Sequence, residues 1–284
     1  MPNLVVGCGY LGLRVAKRWI SEGKTVFATT RKQERISEFR NLNIQPVQAD
    51  ITNAFSLSEL PEFDEVLFSV GFDRKSGKSI DQVYVNGLKQ TLRALDGRFQ
   101  HLIYISSTGV YGQTDAEWVD EDSECNPTRE GGKACLDAER LLDTAELRSK
   151  SCVLRLAGIY GPDRVPRIEQ LNSGDPFACE TDGFLNLIHV DDAASVVLES
   201  SKATSHRLLC VSDGVPVNRR EFYEYAAQLL GKRIEFAPVD PNSAKGQRAA
   251  GNKRIRNLRM QKSLNLTLQF PDYRAGLESI LVSQ

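Results

Sequence analysis

Short apolar runs alternate with segments of helical period over the first two thirds of the chain. The segment 80–95 is the clearest helix, because Ile80, Val83, Leu88 and Leu92 follow the spacing of one buried face. Strands that are buried on both faces and alternate with helices form parallel sheets. The pattern therefore predicts an α/β fold with a Rossmann-like, doubly wound parallel sheet. Its strands are predicted in NLVVG, KTVFATT, QPVQAD, EVLFSV, HLIYISS and SCVLRLAG.

The alternation loosens after residue 160 and indicates a smaller C-terminal substrate lobe. The segments FLNLIHVDDAASVVLES and HRLLCVSD return to the sheet, whereas 218–230 is a helix and the tail is basic and irregular. We therefore expect an NAD(P)-binding Rossmann domain at 1–163 and 184–215. The substrate-binding lobe is expected at 164–183 and 216–284.

A glycine-rich turn follows the first strand and opens the first helix. Gly7, Gly9 and Gly12 have the G-x-G-x-x-G spacing. This spacing suits a tight turn, an approach of pyrophosphate to bare backbone, and close packing of helix on strand. The turn predicts a dinucleotide site that includes Tyr10 and Leu11 at the helix start.

The end of the second strand bears on the choice between NADP and NAD. An NAD site places an acid there to bind the ribose 2′-hydroxyl. This chain has Thr29, Thr30, Arg31 and Lys32, with no acid before Glu34. Hydroxyls and cations suit a 2′-phosphate, which arginine can bind with two hydrogen bonds. The sequence therefore favours NADP over NAD as the coenzyme, although NAD stays possible. The alternative is that Arg31 is a solvated residue at the start of the helix and binds no phosphate.

Three further residues are assigned to the coenzyme from their places at strand ends. Asp50 ends the third strand and suits the adenine amino group, although a cap for the following turn suits it nearly as well. Ser69 and Val70 end the fourth strand.

Composition narrows the class of protein. The 284 residues carry a net charge of −1, with 41% hydrophobic and 26% charged residues, which gives no global bias toward nucleic acid. No apolar run approaches the roughly 20 residues that span a bilayer, and the N-terminus lacks the layout of a signal peptide. Six scattered cysteines without C-x-x-C spacing suit a reducing cytoplasm. Three distant histidines give no metal motif. We expect a cytoplasmic monomer or homodimer that binds a small-molecule substrate, with neither nucleic acid nor membrane as partner.

Several segments together resemble the extended, atypical short-chain dehydrogenase/reductase family, which is NAD(P)-dependent and epimerase/dehydratase-like. They are GCGYLG, VYVNGLKQTLRAL, YISSTGVYG, LRLAGIYGPDR and FLNLIHVDDAA, so the similarity runs along nearly the whole chain. The resemblance implies a nicotinamide coenzyme in the first domain, a nucleotide sugar in the second, and catalysis by Ser or Thr, Tyr and Lys.

The resemblance assigns part of this catalytic set. Ser107 fits the hydroxyl that binds a substrate oxygen, with Ser106 and Thr108 as near alternatives, and a capping role at the strand end is the alternative function of these hydroxyls. Lys133 fits the lysine that binds the nicotinamide ribose and lowers the tyrosine pKa from its usual ~10.

The tyrosine of that set is missing. Four residues before Lys133 stands Arg129, which stays protonated and cannot act as a general base. Alignment by Glu139 instead moves the tyrosine and lysine positions to Gly131 and Cys135. Loss of the phenol removes roughly 10² to 10⁴ in rate from the usual proton transfer. Tyr111 is a weak substitute.

A basic run without a single acid lies in the predicted lobe. The resemblance implies that lobe arginines bind the diphosphate of a sugar nucleotide, and Arg254 and Arg256 are the candidates. A solvated basic face is the alternative. The run also holds Lys245, Arg248, Lys253, Arg259 and Lys262.

Two functions remain open from the sequence. The first is an NAD(P)-binding epimerase/dehydratase-like oxidoreductase that acts on an anionic substrate, plausibly a nucleotide sugar, with a non-standard acid/base. The second is a non-catalytic NADP(H)-binding sensor. The missing tyrosine favours the sensor, whereas Ser107, Lys133 and the basic lobe favour the enzyme.

Overall fold

A computed structural model describes residues 1–53, 57, 60–202, 207–240, 243, 246 and 251–282. Its strands are β1 (Asn3–Val6), β2 (Val26–Thr30), β3 (Ile44–Gln48), β4 (Phe63–Phe68), β5 (Phe99–Ser107), β6 (Glu117–Val119), β7 (Ser151–Leu156), β8 (Gly158–Tyr160), β9 (Phe177–Ala178), β10 (Phe184–Leu185), β11 (Leu187–His189), β12 (Leu208–Val211), β13 (Val217–Asn218), β14 (Phe236–Ala237) and β15 (Lys253–Ile255). Its helices are α1 (Tyr10–Ser21), α2 (Glu34–Asn41), α3 (Gly87–Leu95), α4 (Glu130–Leu141), α5 (Ala145–Lys150), α6 (Ile168–Ser173), α7 (Val190–Ser200), α8 (Arg219–Leu229), α9 (Leu258–Ser263) and α10 (Tyr273–Leu281).

Seven strands form the central sheet in the order β12-β7-β5-β4-β1-β2-β3, and every neighbouring pair is parallel. The chain crosses over after β3 and continues on the other side of β1, which creates a topological switch point beside β1. This confirms the predicted α/β class with a Rossmann-like, doubly wound parallel sheet. In such sheets ligands bind at the carboxyl ends of the strands next to the switch point.

Helices cover both faces of the sheet and supply its two hydrophobic cores. Trp19 of α1 and Val197 of α7 are fully buried on one face. Leu88 of α3 and Ala138 of α4 are fully buried on the other. Burial on both faces explains why the strands are nearly continuous apolar runs.

The helix predicted over 80–95 is not a single α-helix. Its first part contains a π-helical turn at Gln82–Asn86, and α3 follows directly. Turns of this kind widen a helix by one residue and often occur at functional sites. The hydrophobic spacing did not show this insertion, because the buried face continues through it.

A smaller lobe has its own core, in which Phe177, Phe222, Tyr223 and Leu277 are buried. The expected bounds of this lobe, 164–183 and 216–284, stay a prediction. Within the second range, Met260 of α9 and Leu264 pack into the first core, beside α1 and α7.

The described residues show no helix whose length and apolar character would let it cross a bilayer. Within the same part of the chain, no group of three or more His, Cys, Asp or Glu side chains is arranged to hold a metal ion.

Candidate functional site

A cavity of about 720 Å³ lies at the carboxyl ends of β1, β2, β4, β5 and β7, where the switch point predicts a ligand. It is lined by Gly7, Cys8, Gly9, Tyr10, Leu11, Thr29, Thr30, Arg31, Lys32, Arg35, Ala49, Ile51, Phe68, Ser69, Val70, Gly71, Tyr84, Tyr104, Ile105, Ser106, Ser107, Cys135, Leu156, Ala157, Gly158, Ile159 and Arg164.

The three glycines of the turn have three different geometries. Gly7 has φ +88°, and a Cβ there would lie 2.6 Å from Val70 Cα. A Cβ on Gly12 would lie 2.7 Å from the Gly7 carbonyl oxygen, so α1 can pack on β1 only without a side chain. A Cβ on Gly9 would meet nothing within 4 Å, and Gly9 faces the cavity. The open position at Gly9 is where an anion can approach the backbone.

Two hydroxyls hold this turn in place. The Thr29 Oγ1 accepts a hydrogen bond from the Gly7 N–H at 3.1 Å. The Ser69 Oγ donates to the Gly7 carbonyl at 3.0 Å. No side chain caps α1 at Gly9, so the N–H groups of the first turn stay available to an anion.

Tyr10 and Leu11 line the cavity at the start of α1. The Tyr10 hydroxyl donates to the Pro162 carbonyl at 2.8 Å, and the Arg14 guanidinium lies 4.4 Å from the centre of its ring. Leu11 is 6% exposed and packs into the first core. Tyr10 thus links the glycine turn to the loop after β8.

Cations line the cavity, and not one of its lining residues is an acid. Arg31 and Lys32 follow β2, Arg35 lies in the first turn of α2, and Arg164 follows β8. Arg31 pairs with Asp73 at 3.4 Å, but both side chains are about half exposed. Because such exposed pairs contribute only ~0–1 kcal/mol, a bound phosphate can replace Asp73 as the partner of Arg31.

Arg35 was not singled out from the sequence. Its Nη1 donates to the Cys8 carbonyl at 2.7 Å, and its guanidinium pairs with Glu38 at 3.0 Å. The signal that could have identified it is its spacing, since Arg35 lies four residues after Arg31, in the first turn of α2.

The hydroxyls expected to bind a 2′-phosphate have backbone partners instead. Thr29 bonds to the glycine turn, and the Thr30 Oγ1 accepts from the Lys32 N–H at 3.1 Å. Both threonines are buried. Both still line the cavity, but their hydroxyls are engaged with backbone N–H groups, whereas the cations carry the charge that a phosphate would bind.

Asp50 does not line the cavity, whereas its neighbours Ala49 and Ile51 do. Its Oδ1 accepts from the Thr52 N–H at 2.9 Å and from the Thr52 hydroxyl at 2.8 Å. The capping alternative for Asp50 therefore describes its geometry, and the adenine contact is not favoured.

Ser107 lies in the half of the cavity formed by β4 and β5. Its Oγ accepts from the Gly109 N–H at 3.0 Å and caps the 3-10 turn at Thr108–Val110. This is the capping role, and the hydroxyl proton remains available to a substrate oxygen. Thr108 is buried and does not line the cavity, while Ser106 donates to Glu139 at 2.5 Å.

Helix α4 does not present Lys133 to the cavity, which corrects its assignment to catalysis and to coenzyme binding. Lys133 is exposed, and Cys135 lines the cavity in its place. The inward face of α4 carries Gly131, Cys135 and Glu139, each four residues apart, because a helix brings these positions to one side. The register counted from Glu139 therefore matches the inward face of the helix, on which Gly131 and Cys135 precede Glu139.

Packing and an ion pair fix this register of α4. A Cβ on Gly132 would lie 2.1 Å from the Gly109 carbonyl oxygen, so the helix lies directly on the 3-10 turn. Glu139 pairs with Arg155 at 2.7 Å, and the two side chains are 9% and 5% exposed. Burial raises the pKa of the Cys135 thiol to about 11, so this thiol is neutral near pH 7.

Tyr111 is a structural residue, which corrects its place as a substitute acid/base. It is 2% exposed and does not line the cavity. Its hydroxyl donates to the Asp120 carbonyl at 2.7 Å and accepts from Arg155 at 2.8 Å. Burial raises the pKa of Tyr111 far above its usual value.

The lobe arginines lie outside this cavity, on the short parallel pair of β15 and β6. The Arg254 Nε donates to the Ala116 carbonyl at 2.7 Å. The guanidinium groups of Arg254 and Arg256 lie 4.9 and 5.6 Å from the Trp118 ring. In the same strand, the Lys253 Nζ donates to the Tyr111 carbonyl at 2.7 Å, and burial followed by the Arg129 charge lowers the Lys253 pKa to about 8.

The remaining cations of the basic run have different surroundings. Lys262 is exposed in the last turn of α9. Arg259 is neutralised by Asp122 at 2.6 Å. Lys245 and Arg248 lie outside the described residues.

Curated proteins with a similar sequence belong to the short-chain dehydrogenase/reductases. The chain is 25% identical over 261 residues to "Short-chain dehydrogenase/reductase family 42E member 1" of Danio rerio, and the Xenopus laevis protein of the same name is also 25% identical. The matches cover 79% and 80% of this chain, and the chain spans about two thirds of the length of these relatives, 66% and 67%.

Solved structures match over nearly the whole chain. A protein from Methylobacillus flagellatus assigned to the NAD-dependent epimerase/dehydratases is 31% identical, with a TM-score of 0.79 and coverage of 99% of this chain and 98% of that one. UDP-glucose 4-epimerase of Thermotoga maritima, solved with UDP-glucose, shares the fold at 16% identity, with a TM-score of 0.81 and coverage of 99% and 98%.

The family model "NAD dependent epimerase/dehydratase family" matches residues 3–203, which is well over half of the chain. It spans the glycine turn, the cavity and the whole of α4. The chain therefore belongs to the NAD dependent epimerase/dehydratase family.

Proposed function

We propose that this protein is an NADP(H)-dependent oxidoreductase of the epimerase/dehydratase type, acting on an anionic small molecule of the nucleotide-sugar class. The observation that carries this proposal is the charge of the cavity. Four cations and no carboxylate line the cavity, which also contains a glycine turn whose open position, Gly9, can receive a pyrophosphate. When bound there, a nicotinamide coenzyme supplies hydride transfer.

The 2′-phosphate specificity is supported at the end of β2. Arg31, Lys32 and Arg35 face the cavity where an NAD site would carry an acid. Arginine binds phosphate with two parallel, charge-assisted hydrogen bonds. These three cations, with Gly7, Gly9, Tyr10, Leu11, Ser69 and Val70, form the proposed coenzyme site.

The substrate is proposed to bind between Ser107 and the lobe. Arg254 and Arg256 flank Trp118 and form no ion pair within the described ranges, so their charges remain available to a diphosphate. The fold neighbour from Thermotoga maritima was solved with UDP-glucose. We extend that ligand class to this chain as part of the proposal.

The cell compartment and assembly belong to the same proposal. All six cysteines are free thiols, as expected in a reducing cytoplasm. The protein is proposed to work there as a monomer or homodimer.

One observation favours the second candidate, an NADP(H) sensor without catalysis. The inward face of α4 carries Gly131 and Cys135, so the helix supplies neither the tyrosine nor the lysine of the family reaction. In that case the coenzyme would still bind, and no substrate would be converted.

The coenzyme proposal is tested by fluorescence titration with NADPH and NADH. Loss of a charge-assisted phosphate contact costs about 1.5–3 kcal/mol, so Arg31→Ala should weaken NADPH binding at least ~10-fold. NADH binding should change less than about twofold. Arg40→Ala, in the last turn of α2 and outside the cavity, is the matched control and should change neither. Equal losses for both coenzymes would refute the 2′-phosphate site.

Enzyme and sensor are separated by turnover. Purified protein is mixed with NADP⁺ or NADPH and a panel that includes UDP-glucose and UDP-galactose, and absorbance at 340 nm and product are followed. Conversion of a sugar nucleotide by the wild type that decreases in the Ser107→Ala variant would support the enzyme hypothesis. Saturable coenzyme binding without conversion of any sugar nucleotide would support the sensor hypothesis.

A further inference from the structure

The missing phenol of α4 has a counterpart on another element. Tyr84 belongs to the π-helical turn Gln82–Asn86 and lines the same cavity as Ser107. It is half-buried, and its ring meets the Phe72 ring edge-on with a centroid distance of 6.5 Å. A π-turn shifts the following side chains around the helix axis, which aims residues differently from a regular helix.

The position of Tyr84 relates directly to the place on α4 that the family's tyrosine would take. A Cβ on Gly131 would lie 3.4 Å from the Ile80 Cδ1, and Ile80 stands one helical turn before Tyr84. Tyr84 also packs against the hydrophobic cluster that includes Cys135. The segment carrying Tyr84 therefore borders the two α4 positions where glycine and cysteine replace tyrosine and lysine.

Tyr84 lies in the half of the cavity built on β4 and β5. The two halves of a doubly wound sheet each bind one mononucleotide, and the glycine turn with the β2 cations serves the adenosine half. The remaining half, with Ser107 at the end of β5, receives the nicotinamide and the reacting substrate atoms.

The other titratable groups of that half are poor proton donors to a substrate. Tyr104 also lines the cavity, but it lies within β5 and is only 2% exposed, whereas Tyr84 is half-buried. The Cys135 thiol is 5% exposed and packs in the cluster of buried residues around Tyr111. The Tyr10 hydroxyl is occupied by the Pro162 carbonyl beside the glycine turn.

We propose that Tyr84 is the catalytic acid/base of this protein and replaces the tyrosine absent from α4. This inference rests on the proposed function, an NADP(H)-dependent oxidoreductase. Ser107 positions the substrate oxygen by donating a hydrogen bond, and Tyr84 transfers the proton.

When bound, a nicotinamide coenzyme would supply the hydride. In the direction of reduction, Tyr84 Oη would give its proton to the substrate oxygen, so that the C=O π bond is replaced by a C–H and an O–H bond, and the phenolate would regain a proton from solvent water. Burial, then the Cys135 thiol, raises the pKa of Tyr84, so the protonated phenol that reduction requires is the form present at neutral pH.

The first experiment needs no substrate. Alkaline difference absorbance at 295 nm is recorded in short pH jumps for the wild type and Tyr84→Phe, without coenzyme and with NADP⁺ or NADPH. The wild-type-minus-variant curve isolates one phenol of the eight tyrosines. A cationic nicotinamide ring within about 4–6 Å should lower its midpoint by about one pH unit. The neutral ring of NADPH should not. If the titration midpoint of Tyr84 is the same with and without NADP⁺, the proposal is overturned.

The second experiment measures turnover of whichever sugar nucleotide the wild type converts. Tyr84→Phe should lower kcat by at least ~100-fold, with the NADPH dissociation constant within about twofold of the wild type. Tyr111→Phe is the matched control, because that buried phenol bonds Arg155 outside the cavity. It should lose stability and keep kcat per folded molecule. A Tyr84→Phe enzyme of undiminished kcat overturns the proposal.

The two experiments separate this inference from the proposed function. If no sugar nucleotide is converted while the Tyr84 midpoint responds to NADP⁺, the substrate proposal fails and the placement of Tyr84 beside the nicotinamide is supported.

Discussion

The glycine turn after β1 and the start of α4 border one cavity, yet they relate to the family pattern in opposite ways. At the turn every position of the motif is present, and the three glycines have the three geometries that the motif requires. At α4 the two positions that the resemblance assigns to a tyrosine and a lysine hold Gly131 and Cys135 on the inward face. The turn is constrained by backbone sterics, whereas α4 is constrained by packing and one ion pair.

This difference shows which kind of motif can move within a fold. A backbone motif cannot be supplied from elsewhere, because only residues in that turn can shape it. A proton donor is a single side-chain atom, and any element that borders the cavity can provide it. Tyr84 on the π-turn is the proposed example.

The largest effect is expected at the ion pair that holds α4. Glu139→Gln leaves Arg155 without a carboxylate in a site where both side chains are almost fully buried. Removing one partner of a buried pair costs about 3–5 kcal/mol. Urea unfolding monitored by circular dichroism measures this loss. Asp137→Asn, which breaks the exposed Arg140 pair on the same helix, should cost less than about 1 kcal/mol. Similar losses in the two variants would show that the buried pair does not hold α4.

A smaller loss is expected at the turn. Gly7→Ala strains a residue at φ +88° and places its Cβ 2.6 Å from Val70 Cα. Strain of this kind costs about 1–3 kcal/mol, and NADPH binding should fall with it because the turn must shift. Gly23 also has a positive φ, +80°, but a Cβ there would meet nothing within 4 Å, so Gly23→Ala should cost only about 1 kcal/mol and leave NADPH binding unchanged. Urea unfolding measures the stability of each variant, and fluorescence titration measures its affinity for NADPH. Normal NADPH binding by the Gly7→Ala variant would contradict the backbone account.

The smallest effect concerns pH and the lysines near α4. Lys253 has its pKa lowered to about 8, so the unfolded chain binds its proton more tightly than the folded one. The resulting destabilisation is fully present below pH 8 and disappears as the pH rises toward 10.5. Lys253→Met should remove this pH dependence of the free energy of unfolding, which amounts to ~1 kcal/mol after allowance for partial solvent screening. Lys133→Met, at the exposed lysine, should leave this pH dependence unchanged. Urea unfolding at pH 7.5 and 10 measures it for each variant. An equal change in unfolding free energy between the two pH values in both variants would contradict the burial of the Lys253 charge.

Much of the coenzyme region could be predicted from sequence. The strand β1, the helix α1 and the glycine spacing are local features, so their pattern identifies the turn without knowledge of distant contacts. The cations of β2 and α2 were found in the same way, except Arg35, whose direction depends on its bond to the Cys8 carbonyl. Asp50 illustrates the limit, because adenine contact and turn capping suit the same residue type at a strand end.

The start of α4 could not be predicted to the same degree. Counting four residues back from Lys133 assumed a register, but the register is set by the contact of Gly132 with Gly109 and by the Glu139–Arg155 pair. Both contacts join segments far apart in the chain. The π-turn at Tyr84 is equally invisible in the hydrophobic spacing, since it inserts a residue without interrupting the buried face.

The sequence by itself determined the parallel α/β sheet, the phosphate-binding turn and the positive end of β2, because each depends on local periodicity and residue type. Only the tertiary structure decided that Lys133 faces solvent, that Tyr111 is buried against Arg155, and that Tyr84 reaches the cavity. The physical reason is that a side chain's direction depends on how its element packs against others. A substitution of the catalytic set can therefore be recognised only once those elements are assembled.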